Sequence, residues 1–148
     1  TVMKHIPGHG MAKSDSHYKT SIITSNKKDL INKDFKPFKN CRTFFAMTAH
    51  LIYKSFDEKY TATHSSIIIN EVIRNTIGFK GILISDDISM KALKFSLKEN
   101  AIKALDSGCN LVLHCNGNIG EMRKLLKIVP TIDKFTQKKT SLFYNFLG

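Results

Sequence analysis

Gly81-Ile82-Leu83-Ile84-Ser85-Asp86-Asp87 decides the fold. Its apolar centre is too short for a helix and has no polar alternate positions, so it reads as a strand covered on both faces. On its N-terminal side, Thr63 to Ile77 carries Ile67, Ile68, Val72 and Ile73 at helical spacing. Gly78 follows where a helix-ending glycine belongs. On its C-terminal side, Ser89 to Leu105 is predicted as a helix closed by Ser107-Gly108, and Asn110 to Cys115 as the next strand. Gly120 to Ile128 and residues 131–147 give two further helices. Upstream, Thr43-Phe44-Phe45-Ala46-Met47-Thr48 is a buried strand, and another ends at Thr1-Val2-Met3. Apolar strands separated by helices predict an α/β fold with a parallel sheet.

The bulk numbers fit that picture. The chain has 148 residues, 42% hydrophobic and 24% charged, which suits one ordinary soluble domain. No stretch reaches the roughly 20 apolar residues of a membrane span, so no membrane partner is expected. The first residues lack the basic and apolar regions of a signal peptide, and the absence of an initial Met leads to the expectation of a truncated or processed start. Cys41, Cys109 and Cys115 form no CxxC pair and are expected as reduced core thiols of a cytoplasmic protein. The net charge of +11 permits binding to anionic surfaces. The lysines are scattered, however, and no Arg/aromatic alternation accompanies them, so nucleic acid is not expected as a partner.

Ligands of parallel α/β folds lie at the carboxyl ends of the strands. Four successive strand ends here carry Lys4 and His5, His50, Asp86 and Asp87, and Asn116. One concave site could collect them; taken singly, each could equally be a solvated loop residue. The stretch from Lys4 to Thr20 reads as a long loop, and such loops in compact domains are usually functional. Within it, Asp15 and His17 are two apart, so an extended backbone sets them on one side. A carboxylate beside an imidazole orients it and raises its basicity, which suits a general acid/base. Metal binding by His5, His9, Asp15 and His17 is the competing use of these residues, although the spacing matches no zinc motif. A surface loop with incidental histidines is the third. The adjacent acids Asp86 and Asp87 could serve as metal ligands, a helix cap or a nucleophile. Asp87 stands before the helix predicted from Ser89, whereas Asp86 directly follows the apolar run and is better placed to face a site.

These segments together resemble the catalytic domain of bacterial β-N-acetylglucosaminidases of glycoside hydrolase family 3. Lys4-His5-Ile6-Pro7-Gly8-His9-Gly10 followed by Asp15-Ser16-His17 resembles the family's KHFPGHG…DSH signature. Met47-Thr48-Ala49-His50 resembles its strand-end AH element. Val72-Ile73-Arg74 and then Gly78 to Met90 resemble the segment around its nucleophile. The likeness runs in order from Lys4 to about Asn116. It implies a retaining glycosidase with Asp86 as nucleophile, His17 as acid/base and Asp15 as its partner, in place of the second carboxyl group most retaining enzymes use. It also implies contacts of Lys4, His5 and His50 with substrate, no metal or other cofactor, and a terminal N-acetylglucosaminide as substrate. The usual role of the family is cytoplasmic recycling of peptidoglycan fragments; some relatives use phosphate in place of water.

Ile6 stands where the family usually has Phe, and Thr61 where it often has Pro. Length is the larger departure. The family domain is a TIM-like (β/α)8 barrel about twice this size, so residues 1–148 are expected to be its C-terminal half, with about four parallel strands alternating with helices. The other half normally supplies an Asp and an Arg that bind sugar hydroxyls. The chain is therefore expected to pair with a complementary N-terminal half or with itself, and alone to be weakly active or inactive. An inactive gene remnant and a basic binding module on the same scaffold are the alternatives. A half-barrel should leave Ile82, Leu83, Ile84, Leu111 and Val112 poorly covered.

Overall fold

The computed structural model describes residues 1–12 and 20–148. In chain order its elements are strands β1 (Val2–Ile6), β2 (Ser21–Ile23), β3 (Phe45–Thr48) and β4 (Leu51–Tyr53), helix α1 (Ile68–Thr76), strand β5 (Ile82–Asp87), helix α2 (Leu97–Ser107), strand β6 (Leu111–Leu113), and helices α3 (Ile119–Leu126) and α4 (Lys134–Leu147). Four strands form one parallel sheet in the order β1-β3-β5-β6. The helices α1 and α2 supply the crossovers that consecutive parallel strands require. The parallel α/β expectation holds. Among the described residues the four strands do not close into a barrel.

The register explains the burial pattern. Met3 pairs with Ala46 and Ala46 with Leu83. That row faces the helices, and Ala46 and Leu83 are fully buried against a core containing Ile68, Ile69, Val72 and Ile73. Lys4 pairs with Met47, Met47 with Ile84, and Ile84 with Leu111. Side chains alternate between the faces of a strand, so this row belongs to the opposite face. There Lys4 is exposed and Met47, Ile84 and Leu111 are only half-buried. The expected lack of cover is thus met at Ile84, Leu111 and Val112, while Ile82 and Leu83 are wholly buried.

The glycine stops fall where the sequence places them. Gly78 and Gly108 adopt φ of 80° and 115°, a region that costs other residues a steric penalty. Several boundaries differ. The first strand runs on to Ile6, so Lys4 and His5 lie in β1 and not in a loop. The helix expected from Ser89 starts at Leu97. Ser96 caps it, accepting from the Glu99 N–H while Glu99 reaches back to the Ser96 N–H. Residues 88–96 instead form turns, held by the Asn100 side chain donating to the Ile88 and Phe95 carbonyls. A separate two-stranded parallel pair, β2 with β4, has no counterpart in the sequence reading. Of the three unpaired cysteines only Cys109 is a core thiol; Cys41 and Cys115 are exposed. Among the described residues no helix is long and apolar enough to cross a membrane.

Candidate active site

The carboxyl ends of β1, β3 and β5 converge. β5 runs on to Asp87, which pairs with Leu113 on β6, and the register shifts between Ile84 and Asp87, so Asp86 stands at an irregularity of the strand and not in a loop. Their carboxylates have different fates. Asp87 Oδ1 accepts from the Ser89 N–H at 3.0 Å and the Cys115 N–H at 3.2 Å, and the Ser89 hydroxyl sits 2.8 Å from Oδ2. Asp87 therefore ties the turn after β5 to the end of β6; it does not cap a helix, because no helix begins there. Asp86 Oδ1 accepts from the Asp87 N–H at 2.8 Å, while its Oδ2 lies 3.5 Å from His5 Nε2. The Asp86 side chain is 18% exposed. One oxygen is fixed by the backbone and the other is turned toward the histidine.

His5 has its pKa held below the ordinary histidine value. Burial is the main cause; His9, Lys4 and His50 act in the same direction, and Asp86 opposes them. The rings of His5 and His9 lie 5.6 Å apart. With Nε2 turned to Asp86, the His5 imidazole is placed to donate a hydrogen bond at the mouth of the site.

His50, expected to touch substrate, is 1% exposed. Its Nε2 lies 3.0 Å from the Asp87 carbonyl, which can only accept, so Nε2 carries the proton. Nδ1 then accepts from the Thr63 hydroxyl at 2.7 Å, and Thr48 stands 2.7 Å behind Thr63 to donate in turn. Burial keeps His50 below its ordinary pKa, which preserves this neutral tautomer. With both nitrogens engaged inside the protein, the ring braces the backbone beside Asp86. Asn116 is not part of the cluster: it binds Glu121 at 2.7 Å and the Asn118 N–H at 2.9 Å, closing the turn into α3. Asp15 and His17 lie outside the described residues, as does part of the four-residue metal alternative. Among the described residues no group of three or more His, Cys, Asp or Glu side chains is placed to hold a metal.

Two buried polar residues near the site carry no sequence signal that singles them out. Asp34 is 8% exposed and accepts from the Gly10 N–H at 3.0 Å. His64 is 6% exposed, and its Nε2 stands 3.1 Å from the Asn100 carbonyl. Burial, the leading cause, lowers the His64 pKa to about 4. The unfolded chain therefore takes up this proton first as pH falls. The stabilisation from neutral His64 is present above about pH 6.5 and is lost progressively between there and about pH 4, up to about 3 kcal/mol in all. His64→Leu is expected to flatten the decline in urea midpoint across that window; an unchanged pH slope would refute it.

The chain matches the model of the glycosyl hydrolase family 3 N-terminal domain over residues 1–140. It is 37% identical over 136 residues to a β-hexosaminidase of Psychromonas ingrahamii, covering 86% of this chain and 40% of that protein. A β-hexosaminidase of Nitrosomonas eutropha is 39% identical over 120 residues, covering 78% and 34%. Among solved structures, NagZ of Neisseria gonorrhoeae in complex with N-trifluoroacetyl-D-glucosamine superposes with a TM-score of 0.80 at 28% identity, covering 95% of this chain and 41% of that one. The β-N-acetylglucosaminidase of Thermotoga maritima superposes at 0.73 with 30% identity, covering 99% and 34%. The chain thus spans about two fifths or less of the length of these relatives.

Proposed function

This chain belongs to the glycosyl hydrolase family 3 N-terminal-domain family, and from that premise we propose that it carries the nucleophile-bearing half of a retaining β-N-acetylglucosaminidase. The observation that supports this best is the asymmetry at Asp86, with Oδ1 anchored by a backbone N–H and Oδ2 directed to His5. A carboxylate nucleophile attacks through one oxygen, and Oδ2 is the one without a backbone bond.

In this reading Asp86 Oδ2 attacks the anomeric carbon of a terminal N-acetylglucosaminide. A glycosyl–Asp ester bond forms as the glycosidic C–O bond breaks. His17, oriented by Asp15, gives its proton to the departing oxygen. It then removes a proton from water, which attacks the same carbon and releases Asp86. Phosphate can take the place of water, since an imidazole tolerates an anionic acceptor better than a second carboxylate does. Lys4 and His5 hold the sugar; His50 positions the strand end. No metal or other cofactor enters these steps. The natural substrates are anhydro-muropeptides recycled in the cytoplasm.

The half-exposed row of Met47, Ile84 and Leu111 is what the interior of an incomplete barrel would present. A complementary N-terminal half, supplying an Asp and an Arg for the sugar hydroxyls, would cover it. The chain alone is expected to release little chromophore from a chromogenic β-N-acetylglucosaminide, and the chain co-expressed with such a half to release it readily. Equal rates in the two preparations would sink the split-enzyme reading. Absence of turnover in both, with salt-sensitive nucleic-acid binding that ignores Asp86→Ala, would place this +11 chain among basic binding modules instead.

A further inference from the structure

The turn that carries His9 is held from below by a residue outside every recognised motif. Asp34 closes the short helical segment Leu30–Asp34, whose Leu30 is fully buried, as is Phe35 just beyond it. These anchors fix the Asp34 carboxyl beneath the Pro7-Gly8-His9-Gly10 turn. Oδ1 accepts from the Gly10 N–H at 3.0 Å. Gly8 lies so close that a Cβ there would stand 2.5 Å from Asp34 Cγ, and one at Gly10 would stand 3.3 Å from Oδ1. The Gly8 carbonyl accepts from the hydroxyl of Tyr53, a fully buried residue packed edge-on against Phe35. Carboxyl and phenol thus grip the turn at neighbouring points; the approach needs a glycine at position 8 and leaves little room at position 10.

We propose that Asp34 is a positioning residue that fixes the Gly8–Gly10 turn and so sets the His9 ring against His5 beside Asp86. The importance of that placement for catalysis rests on Asp86 being the nucleophile; the placement itself does not.

Asp34 Oδ2 is buried with no hydrogen-bond partner among the described residues. An ionised oxygen so placed would be costly. Burial raises the Asp34 pKa accordingly, against the opposing pull of the Gly10 N–H and of His9. Asparagine keeps an oxygen acceptor for the Gly10 N–H at the same place and nearly the same volume under the turn, so it should serve in its place, and alanine should not.

The test is an NMR titration of the His5 and His9 imidazoles in the intact chain, which needs no substrate and no partner. His9 is one of the causes that hold the His5 pKa down. Asp34→Ala should therefore shift the His5 titration upward and abolish cross-relaxation between the two rings. Asp34→Asn should leave both as in the parent. Gly8→Ala, with Asp34 intact, should reproduce the alanine result, because its Cβ displaces the turn. It also gives the answer should Asp34→Ala fail to fold. A His5 titration unmoved in folded Asp34→Ala or in Gly8→Ala overturns the proposal, as does an Asp34→Asn chain that behaves like Asp34→Ala. Loss of hydrolysis never enters the readout, so the enzyme reading can fail while this one stands.

Discussion

Asp86→Ala is expected to lower turnover of a β-N-acetylglucosaminide by roughly 10⁴–10⁶-fold when the chain is joined to an N-terminal half of the proposed kind, the range met when an essential nucleophile is deleted. Removing the carboxylate removes the atom that would bond to the anomeric carbon, and no neighbour can replace it. Asp87 is adjacent but its oxygens are occupied by Ser89 and the Cys115 N–H. The informative comparison is Asp87→Ala. That variant leaves the Ser89 and Cys115 N–H groups and the Ser89 hydroxyl without their acceptor and should lower the urea midpoint more than Asp86→Ala, which strands only the Asp87 N–H. Steady-state rates and unfolding curves on both variants check this. Two variants that lose stability alike and activity alike would mean that the carboxylates share one structural task, and Asp86 would lose its assignment.

Arg74→Ala is expected to cost about 2–4 kcal/mol of stability, the scale for removing a charged donor and stranding several buried acceptors. The Arg74 guanidinium donates from Nη1 to the Phe79 carbonyl at 3.1 Å and the Gly81 carbonyl at 2.8 Å, and from Nη2 to Asn110 Oδ1 at 2.9 Å. The same Asn110 oxygen accepts from the Leu83 N–H at 2.8 Å. One side chain on α1 therefore joins the entry of β5 to the entry of β6. The guanidinium itself lies over the Phe79 ring, its carbon 5.4 Å from the ring centre. Burial holds its pKa below the ordinary arginine value, a sign of the desolvation that the three bonds offset. Arg74→Lys should recover little, because one ammonium cannot reproduce a planar fork that serves three acceptors. Urea unfolding of both variants is the measurement. A lysine variant as stable as the parent would show that charge alone suffices, against this account.

Much of the architecture was legible because long periodic segments and apolar runs carry strong signals. The run Ile82-Leu83-Ile84 and the glycine at 78 place β5 and the end of α1 within a residue or two. The elements that escaped are of two kinds. β2 and β4 have three residues each, too few for a period of two to stand out, and they are strands because they pair with each other. The segment after Asp87 has helical composition, yet the turn bond from the Ser89 N–H to Asp87 and the reach of the Asn100 side chain to the Ile88 carbonyl override that propensity until Ser96 offers a cap. At the site, the acids and His5 were legible through their positions at strand ends. The task of His50 was not, because nothing in Thr48-Ala49-His50 announces that both ring nitrogens will be satisfied within the protein. Asp34 was equally hidden. Its neighbours in space, Gly8 and Gly10, are far from it in sequence, and only folding brings a carboxyl beneath them.

The strand order has a bearing on how quickly the native state can be reached. Each strand of the main sheet pairs with the next main-sheet strand along the chain: Val2 with Phe45, Phe45 with Ile82, Ile84 with Leu111. Each pairing must close a loop several tens of residues long, as parallel strands require, but the closure entropy grows only slowly with that length. During synthesis the sheet can grow vectorially, each βα unit docking on the one already made, whatever precedes it on the ribosome. The contacts that come last are those of Phe143 and Phe146 on α4 with Phe44 and Phe45. These rings tie the final helix back to the start of β3, so that end of the sheet gains its aromatic cover only once α4 has been made.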